Sequence, residues 1–381
     1  MEISLWKVKI RKGVKNFLWG IGCLLLMLFS SLQAQTPPTV SAPIQTDTFY
    51  RIAFYNAENF FDCLHDSGKN DHDFTPTGIK GWGNAKYTQK RNNLFKVIAA
   101  LNAIHPLAAL GMAEIENDRV LRDLCMGTPL RYLHFGFVHF ESPDPRGIDV
   151  ALLYRKDLLR IDTAFVYPLI IPPDTTGRTR DILYVRALPQ PKVNLPDTLH
   201  LFVNHFPSKY GGVQATDHKR AAAAQLLRAA LDCIVCRNPS AFVLAMGDFN
   251  TVPQDSSLHL LRTDPYVNLM HNTRWQGKQG SHKFRENWST IDHIIVPRST
   301  LTQLHRQQSF RFDPPFLLQE DEKYMGHKPF RTFYGARHLG GYSDHLPVYV
   351  DIETKNPENA DKQAFPGFEP ERTEDPYPHL E

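Results

Sequence analysis

The sequence contains few cysteines, which limits the thiol chemistry it can support. Five cysteines occur among 381 residues, and Cys23 lies within an apolar N-terminal run. Cys233 and Cys236 are spaced as C-x-x-C, but no second pair with zinc-ligand spacing accompanies them. Since this pair ends a predicted helix, we expect a structural disulfide or two buried thiols there rather than a zinc or redox site. The spacing leaves open how Cys63 and Cys125 pair with these two.

The chain also lacks an excess of charge of either sign. It carries 43 Lys and Arg against 40 Asp and Glu, and removal of residues 1–34 would leave 38 against 39. Nucleic-acid-binding proteins usually carry a basic excess. The charge of the whole chain therefore does not indicate a nucleic-acid partner, although a local basic groove is compatible with it. The sequence has no internal repeat and no His-Glu-x-x-His metal motif.

An apolar run of the length used for membrane targeting occurs only at the N-terminus. It extends from Phe17 to Leu32, follows five basic residues and ends near Ala34. These features predict a secretory signal peptide over residues 1–34, then a flexible linker over 35–48, and a secreted or periplasmic protein. The run is short for a membrane span, so we expect no stable span after cleavage. An uncleaved anchor is the alternative.

The most informative stretch is an apolar strand that ends in polar residues. Ala241 to Met246 is a continuous apolar run, and Gly247-Asp248-Phe249-Asn250 follows it. Such a run predicts a strand that is covered on both faces. Sheets of α/β proteins place their chemistry at the carboxyl ends of strands. Asp248 and Asn250 are two residues apart, so on extended backbone their side chains point the same way.

Polar side chains border several further predicted strands. They are Asn56, Glu114, His205, Asp292 and the adjacent pair Asp344-His345. Carboxylates, amides and imidazoles at strand ends are the groups that metal binding and proton transfer require. We therefore expect these side chains to belong to one functional site.

The order of predicted elements indicates the class of fold. Apolar spacing predicts helices at Lys86–Asn102 and Lys219–Leu231, and turn residues at Pro143–Gly147 predict a hairpin. Many strands with a few helices between them favour an α/β fold with two mixed β-sheets packed face to face and flanked by helices. We expect this domain to cover residues 49–352. The segment 353–381 is rich in Pro, Glu, Asp and Lys, which predicts a disordered tail.

The motifs, taken in order, resemble those of a known superfamily. They are Asn56, Glu114, Asn204-His205, Gly247-Asp248-Phe249-Asn250, Ile291-Asp292-His293 and Ser343-Asp344-His345-Leu346-Pro347-Val348. This set resembles the endonuclease/exonuclease/phosphatase superfamily, and within it the chain looks most like secreted, deoxyribonuclease-I-like bacterial endonucleases. The resemblance implies a four-layer α/β sandwich and hydrolysis of phosphodiesters with a divalent metal.

A divalent metal suits the oxygen ligands that the motifs supply. Mg²⁺ prefers carboxylate and amide oxygens and keeps several waters, which fits Glu114 and Asn56 rather than a cage of histidines. By resemblance, Asp344 acts on the metal side as well. We expect Mg²⁺ as the cofactor, with Mn²⁺ or Ca²⁺ as alternatives.

Two histidines are suited to proton transfer near neutral pH. We expect His345 and His205 to act as base and acid on opposite sides of the scissile phosphate. By resemblance, Asp292 holds His345 in one tautomer and Asp149 does the same for His205. In a different assignment of roles, Asp248 takes the proton from water and His345 is an electrostatic clamp.

The resemblance also assigns the groups that contact the phosphate. Asp248 and Asn250 would align the attacking water and contact the phosphoryl oxygens. Arg180 matches an arginine that contacts the phosphate in this superfamily. The alternative interpretation is that Arg180 forms a salt bridge at the surface.

The substrate class is open between two kinds of phosphoester. The segment 301–340 interleaves basic residues with Phe and Tyr, a composition that suits a nucleic-acid backbone. We therefore expect a monomeric endonuclease that cleaves DNA or RNA. The alternative is a phosphoesterase acting on a phospholipid or a sugar or inositol phosphate, since one scaffold can host both activities. A catalytically inactive binding module is disfavoured, because every matched polar position carries a chemically competent residue.

Overall fold

The part of the chain described by the computed structural model covers residues 49–171, 179–191, 193–271 and 280–353. All of these residues belong to one compact unit, Asp47–Glu381. The predicted signal peptide, the linker and the tail beyond Glu353 lie outside the described residues. Among the helices of the described part, none has the length and hydropathy needed to cross a membrane.

Eighteen strands and four α-helices make up the described part of the chain. The strands are β1 (Phe49–Phe60), β2 (Leu107–Ile115), β3 (Phe135–His139), β4 (Asp149–Arg155), β5 (Leu159–Tyr167), β6 (Ile182–Pro189), β7 (Leu199–His205), β8 (Phe242–Asp248), β9 (Tyr266–Asn268), β10 (His282–Phe284), β11 (Asn287–Ser289), β12 (Asp292–Pro297), β13 (Leu304–Arg311), β14 (Leu318–Glu320), β15 (His327–Pro329), β16 (Phe333–Tyr334), β17 (Arg337–His338) and β18 (Val348–Glu353). The helices are α1 (Asn84–Leu101), α2 (Asp118–Met126), α3 (Val213–Arg237) and the single turn α4 (Arg298–Leu301).

Two six-stranded sheets form the centre of the fold. One sheet has the order β13-β18-β1-β2-β4-β3, and the other has the order β5-β6-β7-β8-β12-β9. Each sheet contains one parallel pair, β1 with β2 and β7 with β8, and its other neighbours are antiparallel. Both sheets are therefore mixed, as the sequence predicts. The carboxyl ends of the two parallel pairs provide the polar strand ends.

Alternation along the strands explains how the sheets pack. In β8, Leu244 and Met246 join the core between the two sheets, whereas Val243 and Ala245 join the core on the other face. Successive side chains point to opposite faces of a sheet, so a strand buried on both faces reads as a continuous apolar run. The predicted strand at this position is confirmed.

Helices cover the outer face of each sheet. Leu94 and Val97 of α1 share a core with Tyr55 of β1, and Leu227 of α3 shares another with Phe202 of β7. From one side of the domain to the other, the layers are therefore a layer of helices, the first sheet, the second sheet and a further helix. The predicted four-layer sandwich is confirmed.

Local predictions vary in accuracy. The antiparallel hairpin of β3 and β4 is confirmed, and α3 extends well beyond the predicted Lys219–Leu231. The interpretation of Cys233 and Cys236 is wrong, because both are free and exposed. They lie one turn apart on α3, with neither thiol in the core. The other two described cysteines, Cys63 and Cys125, are also free.

Candidate active site

The polar strand ends of both sheets meet in one place. Asp248 at the end of β8 pairs with His205 of β7 on one side and with Asp292 of β12 on the other. From the opposite sheet, the Asn56 amide Nδ2 donates to Asp248 Oδ2 at 3.1 Å. The same amide lies 3.5 Å from Glu114 Oε1. One amide therefore joins the carboxylates that end β2 and β8.

A glycine allows β7 and β8 to approach each other at this end. A Cβ on Gly247 would lie 2.3 Å from the backbone oxygen of Asn204. No side chain fits at that distance, so the residue before Asp248 has to be glycine. The close approach fixes the relative positions of His205 and Asp248.

Left-handed backbone conformations cluster at the same strand ends. Glu58, Asn59, Glu114 and Asn250 have φ angles of 50°, 56°, 60° and 51°. Such angles are uncommon outside glycine and cost free energy unless the surroundings hold them. At Glu114 the holding contact is visible, because Oε2 accepts the Asn59 backbone N–H at 2.8 Å. Strain of this kind is typical of sites where side chains are aimed for a function.

Asn56 orients carboxylates rather than offering its own oxygen to the cleft. Its Oδ1 accepts the backbone N–H of Glu58 at 2.9 Å. The backbone donor fixes which end of the amide is oxygen, so Nδ2 faces the carboxylates. The predicted metal ligation by Asn56 is therefore not what this geometry presents. The side chain of Glu114 is 17% exposed, so its carboxylate remains accessible from solvent.

His345 and Asp292 form a buried pair. Nδ1 of His345 lies 2.8 Å from Asp292 Oδ2, and its Nε2 lies 3.8 Å from Asp248 Oδ2. Burial disfavours the charged imidazole, but the negative charges of Asp292 and Asp248 raise the pKa of His345 well above 6.5. The predicted partnership of Asp292 with His345 therefore has the required geometry. The two carboxylates favour the charged form of this imidazole.

Asp248 occupies the centre of the site. Its Oδ1 accepts the Asn250 backbone N–H at 2.8 Å, and burial raises the pKa of the carboxyl to about 7. Asn250 is fixed by donating from Nδ2 to the Phe206 carbonyl at 3.0 Å. Asp248 thus lies near both His205 and His345, and Asn250 is held beside Asp248.

His205 has the opposite electrostatic setting from His345. Its Nε2 lies 3.7 Å from Asp248 Oδ2 and 4.0 Å from Glu114 Oε1. Burial, followed by the charges of Arg180 and Arg146, lowers the pKa of His205 well below 6.5. Burial and these positive charges favour the neutral imidazole of His205, whereas Asp292 and Asp248 favour the charged imidazole of His345.

The predicted pairing of Asp149 with His205 is wrong. Asp149 Oδ1 accepts the Ser142 backbone N–H at 2.9 Å, and Oδ2 lies 3.4 Å from Nε2 of His139. His205 Nδ1 is buried and has no hydrogen-bond partner within the described part of the chain. The side chain of Asp149 turns toward β3 because His139 lies on the neighbouring strand of the hairpin.

Arg180 is buried rather than exposed at the surface. Its guanidinium donates to Asp144 Oδ2 and to the Phe206 carbonyl, both at 2.8 Å. Neither a surface salt bridge nor a free phosphate-binding group describes this geometry. Arg180 anchors the segment after β7 and adds positive charge beside His205.

Three further residues complete the site, although their motifs were not singled out in the sequence. Arg331 Nη2 lies 2.9 Å from Asp344 Oδ2 and 3.3 Å from Glu58 Oε1. Burial opposes the charge of Asp344, but Arg331 lowers the pKa of that carboxyl. Burial and the neighbouring Asp344 raise the pKa of Glu58 to about 7. The ring of His282 lies 5.1 Å from that of His345.

The donor set fits a divalent cation. The Glu114 and Asp248 carboxylates both contact the Asn56 amide, and the Glu58 and Asp344 carboxylates both contact Arg331. Burial is the main cause of the raised pKa values of Asp248 and Glu58, and neighbouring carboxylates add to it. Carboxylate oxygens are the ligands that hard cations prefer. A cation held by Glu114 and Asp248 would offset their repulsion.

The chain belongs to the endonuclease/exonuclease/phosphatase family. The model described as "Endonuclease/Exonuclease/phosphatase family" matches residues 51–354. Members of this family are phosphodiesterase and phosphatase hydrolases, generally dependent on a divalent metal. The predicted superfamily is therefore confirmed, and the chain is one of its hydrolases. A comparison with curated proteins finds no significant match.

Solved structures share the fold at low sequence identity. A family protein from Bacteroides thetaiotaomicron is 17% identical, with a TM-score of 0.50, over 81% of this chain and 99% of that chain. A family protein from Bacteroides vulgatus is 15% identical, with a TM-score of 0.50, over 81% and 100%. Truncated Caenorhabditis elegans TDP2 is 13% identical, with a TM-score of 0.51, over 80% and 98%. At these identities the similarity establishes the fold alone.

Proposed function

We propose that the protein is a secreted, divalent-metal-dependent phosphodiesterase that acts as an endonuclease on DNA or RNA. The observation that carries the proposal is the junction of the two sheets at Asn56, Glu114 and Asp248. Beside that junction lie a protonated imidazole and a neutral one. This combination supplies what phosphodiester cleavage needs, namely charge stabilisation on phosphorus, an activated water and a proton for the leaving oxygen.

Glu114 and Asp248 are the proposed ligands of the cation, and Mg²⁺ is the proposed ion. When bound, such an ion neutralises charge that develops on the phosphoryl oxygens. Asn56 keeps the two carboxylates in place by donating to both. Asp344 is engaged by Arg331, so we assign it to positioning Arg331 and His345.

The histidines divide the proton transfers between them. His345 is held protonated by Asp292 and Asp248, so we propose that it donates from Nε2 to the leaving oxygen. His205 is neutral, so its Nε2 accepts a proton from the attacking water. Asp248 lies between the two imidazoles and orients the water.

The basic segment 301–340 supports a nucleic-acid substrate less strongly than its composition suggests. Lys328 pairs with Asp321, and Arg331 pairs with Asp344 and Glu58. These cations are therefore used within the protein. Lys323 and Arg337 are exposed and available to a polyanion. A phospholipid or a sugar or inositol phosphate is the second candidate, because such a phosphoester needs no extended basic surface.

A substrate panel tests the proposal. Purified protein with Mg²⁺ is incubated with supercoiled plasmid DNA, single-stranded RNA, sphingomyelin, inositol phosphates and a sugar phosphate. Nicking or internal cleavage of a nucleic acid is the expected result. Release of phosphate or choline phosphate from the other substrates, with DNA and RNA intact, would instead establish the second candidate.

A further inference from the structure

A second group of carboxylates lies outside the site described above. The ligand oxygens of Asp66, Asp71 and Glu116 all lie within 4.8 Å of one another. Asp71 is 1% exposed and Glu116 is 2% exposed, whereas Asp66 is partly buried. Asp66 and Asp71 belong to the segment after β1, and Glu116 directly follows β2. The group therefore joins two parts of the chain that are distant in sequence.

One oxygen of Glu116 is buried and unused. Its Oε2 accepts the Asp62 backbone N–H at 2.6 Å. Its Oε1 has no hydrogen-bond partner within the described residues. An unpaired buried carboxylate oxygen is costly, because it has lost water without gaining a donor. Glu116 Oε1 is therefore the oxygen of this side chain that is available to a bound ligand.

The nearby cations do not neutralise this group. Arg119 pairs with Asp62 at 2.9 Å, and the Lys69 ammonium donates to the carbonyls of Ser142 and Asp144 at 3.0 and 3.2 Å. In the described part of the chain, the ion pairs of the three carboxylates amount to one contact between His65 and Asp71. The group thus gathers three carboxyls beside a single partly exposed imidazole, and burial together with the neighbouring carboxylates raises the pKa of Glu116 to about 9.

We propose that Asp66, Asp71 and Glu116 bind a calcium ion. Ca²⁺ takes oxygen ligands at about 2.3–2.6 Å, so two ligands of one ion can lie up to roughly 5 Å apart. The ligand oxygens of the three carboxylates lie within 4.8 Å of one another, which satisfies that limit. Water and backbone carbonyls of this segment would complete the six to eight oxygen ligands of Ca²⁺, whose coordination is less strict than the octahedron of Mg²⁺.

Bound calcium would fix the segment after β1 to the end of β2. Glu116 is two residues beyond Glu114, so an ion there holds the backbone that carries the proposed catalytic ligand. The inference does not rest on the proposed reaction, since it concerns other side chains. It is tested by binding and stability rather than by turnover.

The test uses full-length protein carrying Glu114→Gln, which weakens binding at the catalytic centre. After treatment with EDTA and its removal, CaCl₂ is titrated by isothermal calorimetry, and thermal unfolding is followed with and without about 1 mM Ca²⁺. We expect one bound Ca²⁺ per chain. We also expect a rise in Tm of roughly 5 °C once Ca²⁺ is in large excess over its Kd.

Two further variants in the same background locate the ion. Asp66→Asn should weaken Ca²⁺ binding at least about tenfold and abolish most of the Tm rise, since a charged ligand is lost. Asp73→Asn is the matched control, because Asp73 lies in the same segment but is exposed and outside the group. It should bind Ca²⁺ like its parent. Glu116→Gln provides a second variant should Asp66→Asn not fold.

The proposal is overturned by either of two results. One is the absence of both binding heat and a Tm shift in the Glu114→Gln protein. The other is a Ca²⁺ response in Asp66→Asn or Glu116→Gln that equals the response of Asp73→Asn.

Discussion

Replacement of Asp292 by Asn isolates the contribution of the carboxylate behind His345. The two side chains are 2.8 Å apart, and only 7% of His345 and 1% of Asp292 is exposed. A hydrogen bond to a charged group contributes about 1.5–3 kcal/mol. At 1.36 kcal/mol per unit, this corresponds to a drop of about 1–2 units in the pKa of His345. An asparagine amide that donates to Nδ1 would also disfavour the imidazolium, because the charged ring needs an acceptor for its Nδ1–H.

The expected result is a loss of turnover with little change in substrate affinity. The neighbouring carboxylates raise the pKa of wild-type His345 well above 6.5, so lowering that pKa decreases the protonated fraction of the proposed acid. We expect kcat to fall about 10²- to 10⁴-fold, the usual effect of losing a positioned proton carrier. Nuclear magnetic resonance titration of the His345 ring measures the pKa directly. Asp264→Asn, at an exposed ion pair with Arg298, is the matched control.

A change of leaving group separates the acid from the base. A 4-nitrophenyl ester needs little protonation of its leaving oxygen, so it should rescue Asp292→Asn and His345→Ala. It should leave His205→Ala impaired. Rescue of His205→Ala alone would reverse the two assignments. Wild-type turnover in both histidine variants would refute the acid–base reasoning altogether.

Three other predictions concern stability. Gly247→Ala should lower the free energy of unfolding by about 1–3 kcal/mol, because the added Cβ would collide with the Asn204 carbonyl. Chemical denaturation measures this loss. Gly83→Ala is the control, since a Cβ at Gly83 meets nothing within 4 Å. Arg180→Ala should cost about 3–5 kcal/mol, because the buried Asp144 loses its buried cation and keeps only the half-exposed Arg146; Asp144→Asn/Arg180→Ala should recover part of that loss. The folded-state pKa of Glu58 is raised from 4.5 to about 7, so between these values the unfolded chain loses this proton while the folded protein keeps it. Metal-free protein should therefore lose stability as the pH rises from about 4.5 through 7. In urea titrations, Glu58→Gln should weaken this dependence of stability on pH.

The positions of the strand ends could be predicted because they follow from local patterns. The apolar run before Asp248 is continuous because β8 is buried on both faces. Parallel pairing of β1 with β2 then brings Asn56 and Glu114 to one edge of the sheet. Alternation along a strand and the polar residues at its end are readable from sequence, whereas the strand order comes from the structure. The order of the strands then brings Asn56, Glu114, His205 and Asp248 together.

The partners of individual side chains could not be predicted in the same way. Asp149 faces His139 instead of His205, a choice decided by side-chain direction within the β3–β4 hairpin. Arg331 reaches the site because its segment folds back onto Lys90, whose ammonium donates to Thr332 and to the Tyr342 carbonyl. Contacts between residues so far apart in sequence leave no periodic signal.

The central claim is that the junction of Glu114, Asp248 and His345 carries out metal-dependent phosphodiester hydrolysis. The most direct measurement is the rate of bis(4-nitrophenyl) phosphate cleavage with Mg²⁺, after EDTA, and after Mg²⁺ is restored. Wild type is compared with Glu114→Gln and with the exposed control Glu322→Gln. The account predicts cleavage that EDTA abolishes, that Mg²⁺ restores, and that Glu114→Gln reduces at least about 10²-fold. Cleavage that is unaffected by both EDTA and Glu114→Gln, or no cleavage by wild type with Mg²⁺, would contradict it.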